Sequence, residues 1–294
     1  MSKIKIKVIS IGHLPIEFDH KKIENWESDL FDIIDKVNNH SLNCNSDIDS
    51  WAFSDNQIRE QLPKYEADFL FVILNVPLED NWYSRRIGND IVIFTYHEVK
   101  DILESHHIPI ENIIYRLLYE YSLVYLACNK TIPEIRELIQ FTHDETKGCL
   151  FDMNGIKNDL VKSCHNPSLC ISCQEHMSKL KVSNDDLLLV QKEIINIRKD
   201  LYYRIVDFIK KRPIVAIVIS SIFALLLGII GSIIGSIIYD GINNGKILQS
   251  NNRFTKLSIS EEYQRDMHGL TMEIFIMKYN APKNQDNNSK DLIS

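Results

Sequence analysis

The sequence predicts an α/β fold with a Cys/His metal module, a helical stalk and one membrane-spanning helix. Three observations lead there. Short apolar runs alternate with helical patterns in the first half, a His-x5-Cys pair precedes a Cys-x2-Cys pair, and 26 consecutive residues at 214–239 carry no charge. Strands alternating with helices imply layers around a common core. The expected divisions are an α/β domain at 1–128, a Cys/His module at 129–182, a stalk at 183–212, the span at 213–239 and a tail at 240–294.

Residues 3–11 begin in strict alternation (Lys-Ile-Lys-Ile-Lys) and end apolar, the pattern of a first strand. Over 23–38, Ile23, Trp26, Leu30, Phe31, Ile34 and Val37 share one face at helical spacing, so a helix is expected. Residues 67–75 and 90–95 are short apolar runs of the kind buried on both faces of a sheet. Between them, 79–88 reads as an exposed connection or an edge strand. Helices are expected at 97–105 and 109–127, separated by His106-His107-Ile108-Pro109. Ser183-Asn-Asp-Asp186 marks a further helix start, with acids in its first turn. After it Leu187, Val190, Ile194, Ile197 and Leu201 form a short heptad seam. Such a seam serves either a helix lying on its own domain or a self-associating stalk.

The uncharged stretch exceeds the roughly 20 residues a helix needs to cross a bilayer. It lies far from the N-terminus, unlike a signal peptide. Arg198, Lys199, Arg204, Lys210, Lys211 and Arg212 precede it, against Lys246, Arg253 and Lys256 after it. That asymmetry puts the N-terminal part in the cytoplasm of a single-pass protein of the cell membrane, with the tail on the opposite side. Ser220, Ala224, Gly228, Ser232 and Ser236 recur every fourth residue, beside a Gly231-x-x-x-Gly235 pair. Small residues in register let helix backbones approach closely, so a homo-oligomer is expected.

A net charge of −7, with no basic block except the one abutting the span, excludes nucleic acid as the main partner. All six cysteines lie between Cys44 and Cys173, on the expected cytoplasmic side, where disulfides are rare. His143 and Cys149, with Cys170-Ile-Ser-Cys173, supply the four corners of a tetrahedral N/S site, which points to a structural zinc. A redox Cys-x-x-Cys and unliganded thiols are the alternatives. Cys164 and His165 are spare ligands, whereas Cys44 and Cys128 sit in apolar contexts that suit burial. His97, His106 and His107 read as exposed histidines at helix ends or as ligands, and Trp26 and Trp51 as core aromatics beside capping acids or as a recognition surface. Arg85-Arg86 reads as an edge strand's solvated face or an anion site. No Gly-rich phosphate loop or Gly-x-Ser-x-Gly elbow is present.

The cluster resembles that of the archaemetzincins, a family of zincin metalloproteases. Their His-Glu-x-x-His helix is followed by Cys-x4-Cys-x-Met-x17-Cys-x2-Cys, whose cysteines hold a second, structural zinc. Here Cys149-Leu-Phe looks like the Cys-x-Met step, with Cys170 and Cys173 downstream and His143 one position from the family's first cysteine. The resemblance covers residues 65–180 and implies a zincin-like domain. If Tyr119-Glu120 matches the family's His-Glu, the glutamate remains while Tyr119 and Leu123 replace both zinc-binding histidines. A glutamate cannot act as base on a zinc-bound water without those imidazoles.

These readings converge on a membrane-anchored cytoplasmic module that holds a structural zinc and binds or senses an unknown cytoplasmic ligand or protein. It would act without catalysis, in signalling or as a defence effector. The alternative is a membrane-tethered zinc metallohydrolase or protease with atypical ligands such as His97, His107 and Glu120.

Overall fold

The computed structural model describes residues 2–134, 142–144 and 146–243. Most of the expected tail, from 244 onward, lies outside them, as do 135–141 and 145 within the expected metal module. The chain forms two units, Met1–Pro213 and Ile214–Ser294.

The first unit is built on a five-stranded sheet in the order β2-β1-β3-β5-β4. Its strands are β1 (Ile4–Ile11), β2 (Phe31–His40), β3 (Phe69–Leu74), β4 (Ser84–Arg86) and β5 (Ile91–Thr95), all parallel except β4, which runs antiparallel to β5. The two-residue period of a strand splits the apolar runs into two cores. Ile6, Val8, Phe69, Phe71, Ile73, Val92 and Phe94 face the larger core. Ile9, Ile11, Leu70, Val72, Leu74, Ile91 and Ile93 face the smaller one, closed by Phe53, Ile58, Leu78 and Ile87. Burial on both faces is what the runs at 67–75 and 90–95 require.

The helices are α1 (His20–Glu24), α2 (Asp55–Arg59), α3 (Val99–Ser105), α4 (Asn112–Ala127), α5 (Leu160–Ser163), α6 (Ile171–Lys179), α7 (Asn184–Ile194) and α8 (Leu201–Lys211). Helix α4 is central. Every residue in it except Leu126 is buried, and it contacts α5 and α7. The expected helices at 97–105 and 109–127 thus correspond to α3 and α4, and the edge strand within 79–88 to β4.

The helix expected at 23–38 is wrong. The chain makes only the short α1 and then the edge strand β2, which pairs with β1 from Ile4↔Phe31 to Ile11↔His40 across a register shift. Helical spacing there reflects two separate contacts with the larger core, Ile23 from α1 and Phe31 with Val37 from β2. The break between them is held by distant partners. Ser28 Oγ and the Asp29 N–H donate to Glu193 at 2.6 and 2.8 Å, and the Val37 N–H donates to Glu24 at 2.8 Å.

Nor do residues 183–212 form one continuous stalk. Helix α7 ends at Ile194, and Leu187, Val190, Ile194 and Ile197 are buried in the larger core. The fifth seam residue, Leu201, is exposed at the start of α8. The seam therefore serves its own domain. Arg85 also departs from expectation: it is buried, with Nε and Nη2 on Asp55 at 2.7 and 2.8 Å and Nη1 on Asp80 at 3.3 Å. The second unit contains the helix α9 (Pro213–Asn243), of which Pro213–Asp240 is long and apolar enough to cross a membrane.

Ile194→Ala should cost about 2–4 kcal/mol because it opens a cavity in a packed core. Leu188→Ala, at an exposed position on the same helix, should change stability by less than about 0.5 kcal/mol. Denaturant unfolding of the detergent-solubilised chain measures both, and equal small effects would restore the stalk.

Candidate metal centre

His143, Cys149, Cys170 and Cys173 come together, with one ligand atom from each lying within 4.8 Å of all the others. Two pieces of chain supply them. His143 and Cys149 lie on short bridged segments: His143 pairs with Asp152, and Cys149 with Ser168. The His143 N–H donates to Phe151 O at 3.1 Å, and the Leu150 N–H donates to Ser168 O at 2.7 Å. Gly148 turns the chain into Cys149 at φ +89°, where a Cβ would also meet Lys162 Cγ at 2.9 Å.

Cys170 and Cys173 belong to α6. Cys170 is its N-cap, and its Sγ accepts the Cys173 N–H at 3.4 Å. Across the cluster, the sulfurs of Cys149 and Cys173 are 3.8 Å apart, and Cys170 Sγ lies 3.6 Å from His143 Nε2. The hydrogen bond with Cys173 is the main cause that lowers the Cys149 thiol below its ordinary value, and the Cys173 thiol is raised in turn. A lowered thiol favours the thiolate form that a metal ligand must adopt.

Helix α4 fastens this arrangement to the sheet. Arg116 is fully buried, and its Nη2 donates to the carbonyls of Leu150 at 2.8 Å and Asp152 at 2.7 Å. Its Nη1 donates to the Tyr83 hydroxyl at 3.1 Å, and Glu120 Oε2 lies 3.2 Å from Nη2. Asp152 accepts the N–H groups of Gly148 and Asn154 at 3.2 and 3.0 Å. Asn154 in turn donates to Asp152 O at 2.7 Å and accepts from Ser163 Oγ at 2.8 Å. Arg116, Asp152 and Asn154 were not singled out from sequence as supports. Only Arg116 carries a signal there, as a lone cation in an otherwise apolar helical run.

The spare ligands are used elsewhere. Burial pushes the Cys164 thiol up to about 12, and His165 Nδ1 accepts the Lys199 N–H at 3.1 Å. Cys44 and Cys128 are partly buried against the smaller and larger cores. Among the described residues, no second set of three or more His, Cys, Asp or Glu side chains is spaced to hold one ion. His97, His107 and Glu120 do not converge. His97 meets Trp51 edge-on at 5.7 Å, and His107 stacks on Tyr203 at 4.4 Å. Tyr119 donates its hydroxyl to Glu193 at 2.7 Å and accepts from Trp26 Nε1 at 3.2 Å, while Leu123 is fully buried. Burial pushes the Glu120 carboxyl up to about 7, against the pull of Arg116.

No protein-family model matches the chain, and no curated protein matches it. Among solved structures, an archaemetzincin from Methanopyrus kandleri is similar, with a TM-score of 0.38 and 12% identity over 61% of this chain and 96% of that one. At that TM-score the likeness is one of outline, and no residue role follows from it.

Two expectations follow. Arg116→Met should destabilise the folded unit by about 3–5 kcal/mol, since it strands buried carbonyls and leaves Glu120 without its counter-charge; a smaller loss on unfolding would show that the loop is held by other contacts. Cys170→Ser or Cys173→Ser should abolish bound metal in elemental analysis, whereas Cys44→Ser should leave the metal content unchanged.

Proposed function

We propose that the chain is a membrane-anchored binding or sensing module whose folded unit is stabilised by a structural zinc ion and whose membrane helix self-associates. The observation that carries the zinc assignment is the donor set and its spacing. A tetrahedral zinc with bonds of about 2.3 Å to sulfur and about 2.0–2.1 Å to nitrogen has a sulfur–sulfur edge of about 3.8 Å and a sulfur–nitrogen edge of about 3.6 Å. The Cys149–Cys173 and Cys170–His143 separations of 3.8 and 3.6 Å fit those edges.

His143, Cys149, Cys170 and Cys173 would hold the ion with four protein ligands, leaving no open position for a water nucleophile. What zinc would supply is a crosslink between Cys170 and Cys173 of α6 and the segment carrying His143 and Cys149, which Arg116 ties to α4. Binding at such a site is folding free energy. A non-catalytic role is further supported by α4, whose Tyr119 and Leu123 are packing residues and whose Glu120 faces an arginine.

Anchoring rests on Pro213–Asp240, and a cytoplasmic folded unit on the excess of Lys and Arg before it. The stripe Ser220, Ala224, Gly228, Ser232 and Ser236 supports self-association. A Cβ at Gly231 or Gly235 meets nothing within 4 Å in the single chain. Leucine at either position therefore fits the isolated helix, and any loss reports contact between chains. A reporter fused after Ser294 should behave as non-cytoplasmic and one at Met1 as cytoplasmic. Gly231→Leu with Gly235→Leu should abolish cross-linking between chains at unchanged expression. Persistent cross-linking would remove self-association through this helix, and reversed reporters would put the thiols in an oxidising compartment and remove the zinc assignment.

A further inference from the structure

Helix α8 divides into two faces. At about 100° per residue, Leu201, Tyr202, Ile205, Phe208 and Ile209 share one side. Tyr203, Arg204, Asp207, Lys210 and Lys211 share the other. The polar side is the one attached to the folded unit. Tyr203 stacks on His107 with ring centroids 4.4 Å apart, and Asp207 accepts from the buried Lys199 at 2.7 Å. The apolar side is open: Leu201 is 67% exposed, Tyr202 70%, Ile205 49%, Phe208 40% and Ile209 47%. A helix of a water-soluble domain is turned the other way, with its apolar stripe against the core. A contiguous exposed apolar face marks an interaction surface.

Two observations identify what covers it. Only Arg212 separates the end of α8 at Lys211 from Pro213, where the helix long and apolar enough to cross a bilayer begins. The chain therefore reaches lipid within one residue of this face. Lys210, Lys211 and Arg212 also sit where anionic headgroups attract cations. We infer that α8 lies in the water–lipid interface, its apolar face in the acyl boundary and its basic end among anionic phospholipid headgroups. The inference rests on the anchoring proposed above. It adds a second contact with the membrane, made by the chain before the span.

The test uses the full chain reconstituted in bilayers of phosphatidylcholine with phosphatidylglycerol, with bromine on the acyl chains as a quencher of tryptophan. The parent chain gives the signal of Trp26, Trp51 and Trp82 to be subtracted. The tryptophan of Ile205→Trp should be quenched, and that of Tyr203→Trp, on the opposite face against His107, should not. Ile205→Glu combined with Phe208→Glu alters only exposed side chains. It should abolish the protection of 201–211 from hydrogen exchange while the chain stays in the bilayer through an alkaline wash. Phosphatidylcholine alone should weaken that protection. If the chain stays inserted but position 205 is unquenched and α8 exchanges freely, this inference falls and anchoring stands. Cross-linking between chains through position 205 in place of quenching assigns the face to a second copy and overturns it. A chain that washes off overturns anchoring itself, and the inference with it.

Discussion

The first unit depends on one buried guanidinium. Moving an arginine out of water costs several kcal/mol even after relaxation, so its partners must be close and well aimed. Arg116 has two carbonyl oxygens within 2.8 Å and the Tyr83 hydroxyl as hydrogen-bond partners, and the Glu120 carboxyl group 3.2 Å away as an ion pair without a hydrogen bond. The carbonyls belong to Leu150 and Asp152, which flank the Phe151 carbonyl that receives the His143 N–H. The position of half the metal cluster is therefore set from α4, and α4 is held in turn by the larger core. The other half arrives through the Cys149–Ser168 bridge and the N-cap of α6.

That arrangement explains why residues 142–182 share a core with the sheet domain. Cys149, Leu150, Phe151, Leu160, Leu169, Met177 and Val182 are buried in the same cluster as Ile113, Leu117 and Leu118. A segment this short cannot bury enough apolar surface to order itself, so it borrows a core, and its four donors could add a metal crosslink. The electrostatics are consistent with it. Cys149 is among the groups that raise the Glu120 carboxyl, and Arg116 opposes that rise. The cation on α4 thus opposes the rise of the Glu120 carboxyl while its hydrogen bonds hold the carbonyls of Leu150 and Asp152.

The parts of this structure that were legible in the sequence depend on local pattern. The strands at 69–74 and 91–95 are apolar runs with no competing period, and Cys170-x-x-Cys173 is a two-ligand unit within one turn. The chemistry of a four-ligand site suggested joining His143 and Cys149 to that unit, and the structure places the four donors together in a cluster that could hold a metal. The misread parts depend on distant partners. Residues 23–38 fit a helical face in number, but Glu193, far along the chain, takes the Ser28 hydroxyl and the Asp29 N–H and helps end α1. Arg85 appeared solvated because its partners Asp55 and Asp80 lie on separate segments. The side chains of Asp152 and Asn154 bind backbone N–H and C=O groups, which every residue carries, so no residue pattern marks them.

The heptad seam shows how one period can span two structural roles. Spacing alone carries it from Leu187 to Leu201, yet the helix stops at Ile194. Beyond that point the backbone finds better partners: the Asn166 N–H donates to Ile197 O at 2.9 Å, and the Lys199 N–H donates to His165 at 3.1 Å. Burial and the nearby Lys199 cation both lower the His165 pKa, which favours the neutral imidazole that can accept this hydrogen bond. Once the chain has been drawn out of helix, the restart at Leu201 has a new phase. Its apolar residues turn away from the core that their predecessors fill, and its polar residues bind Lys199 and His107 instead. The change of face begins at Leu201 and is complete by Lys211, just before the helix Pro213–Asp240 that is long and apolar enough to cross a membrane.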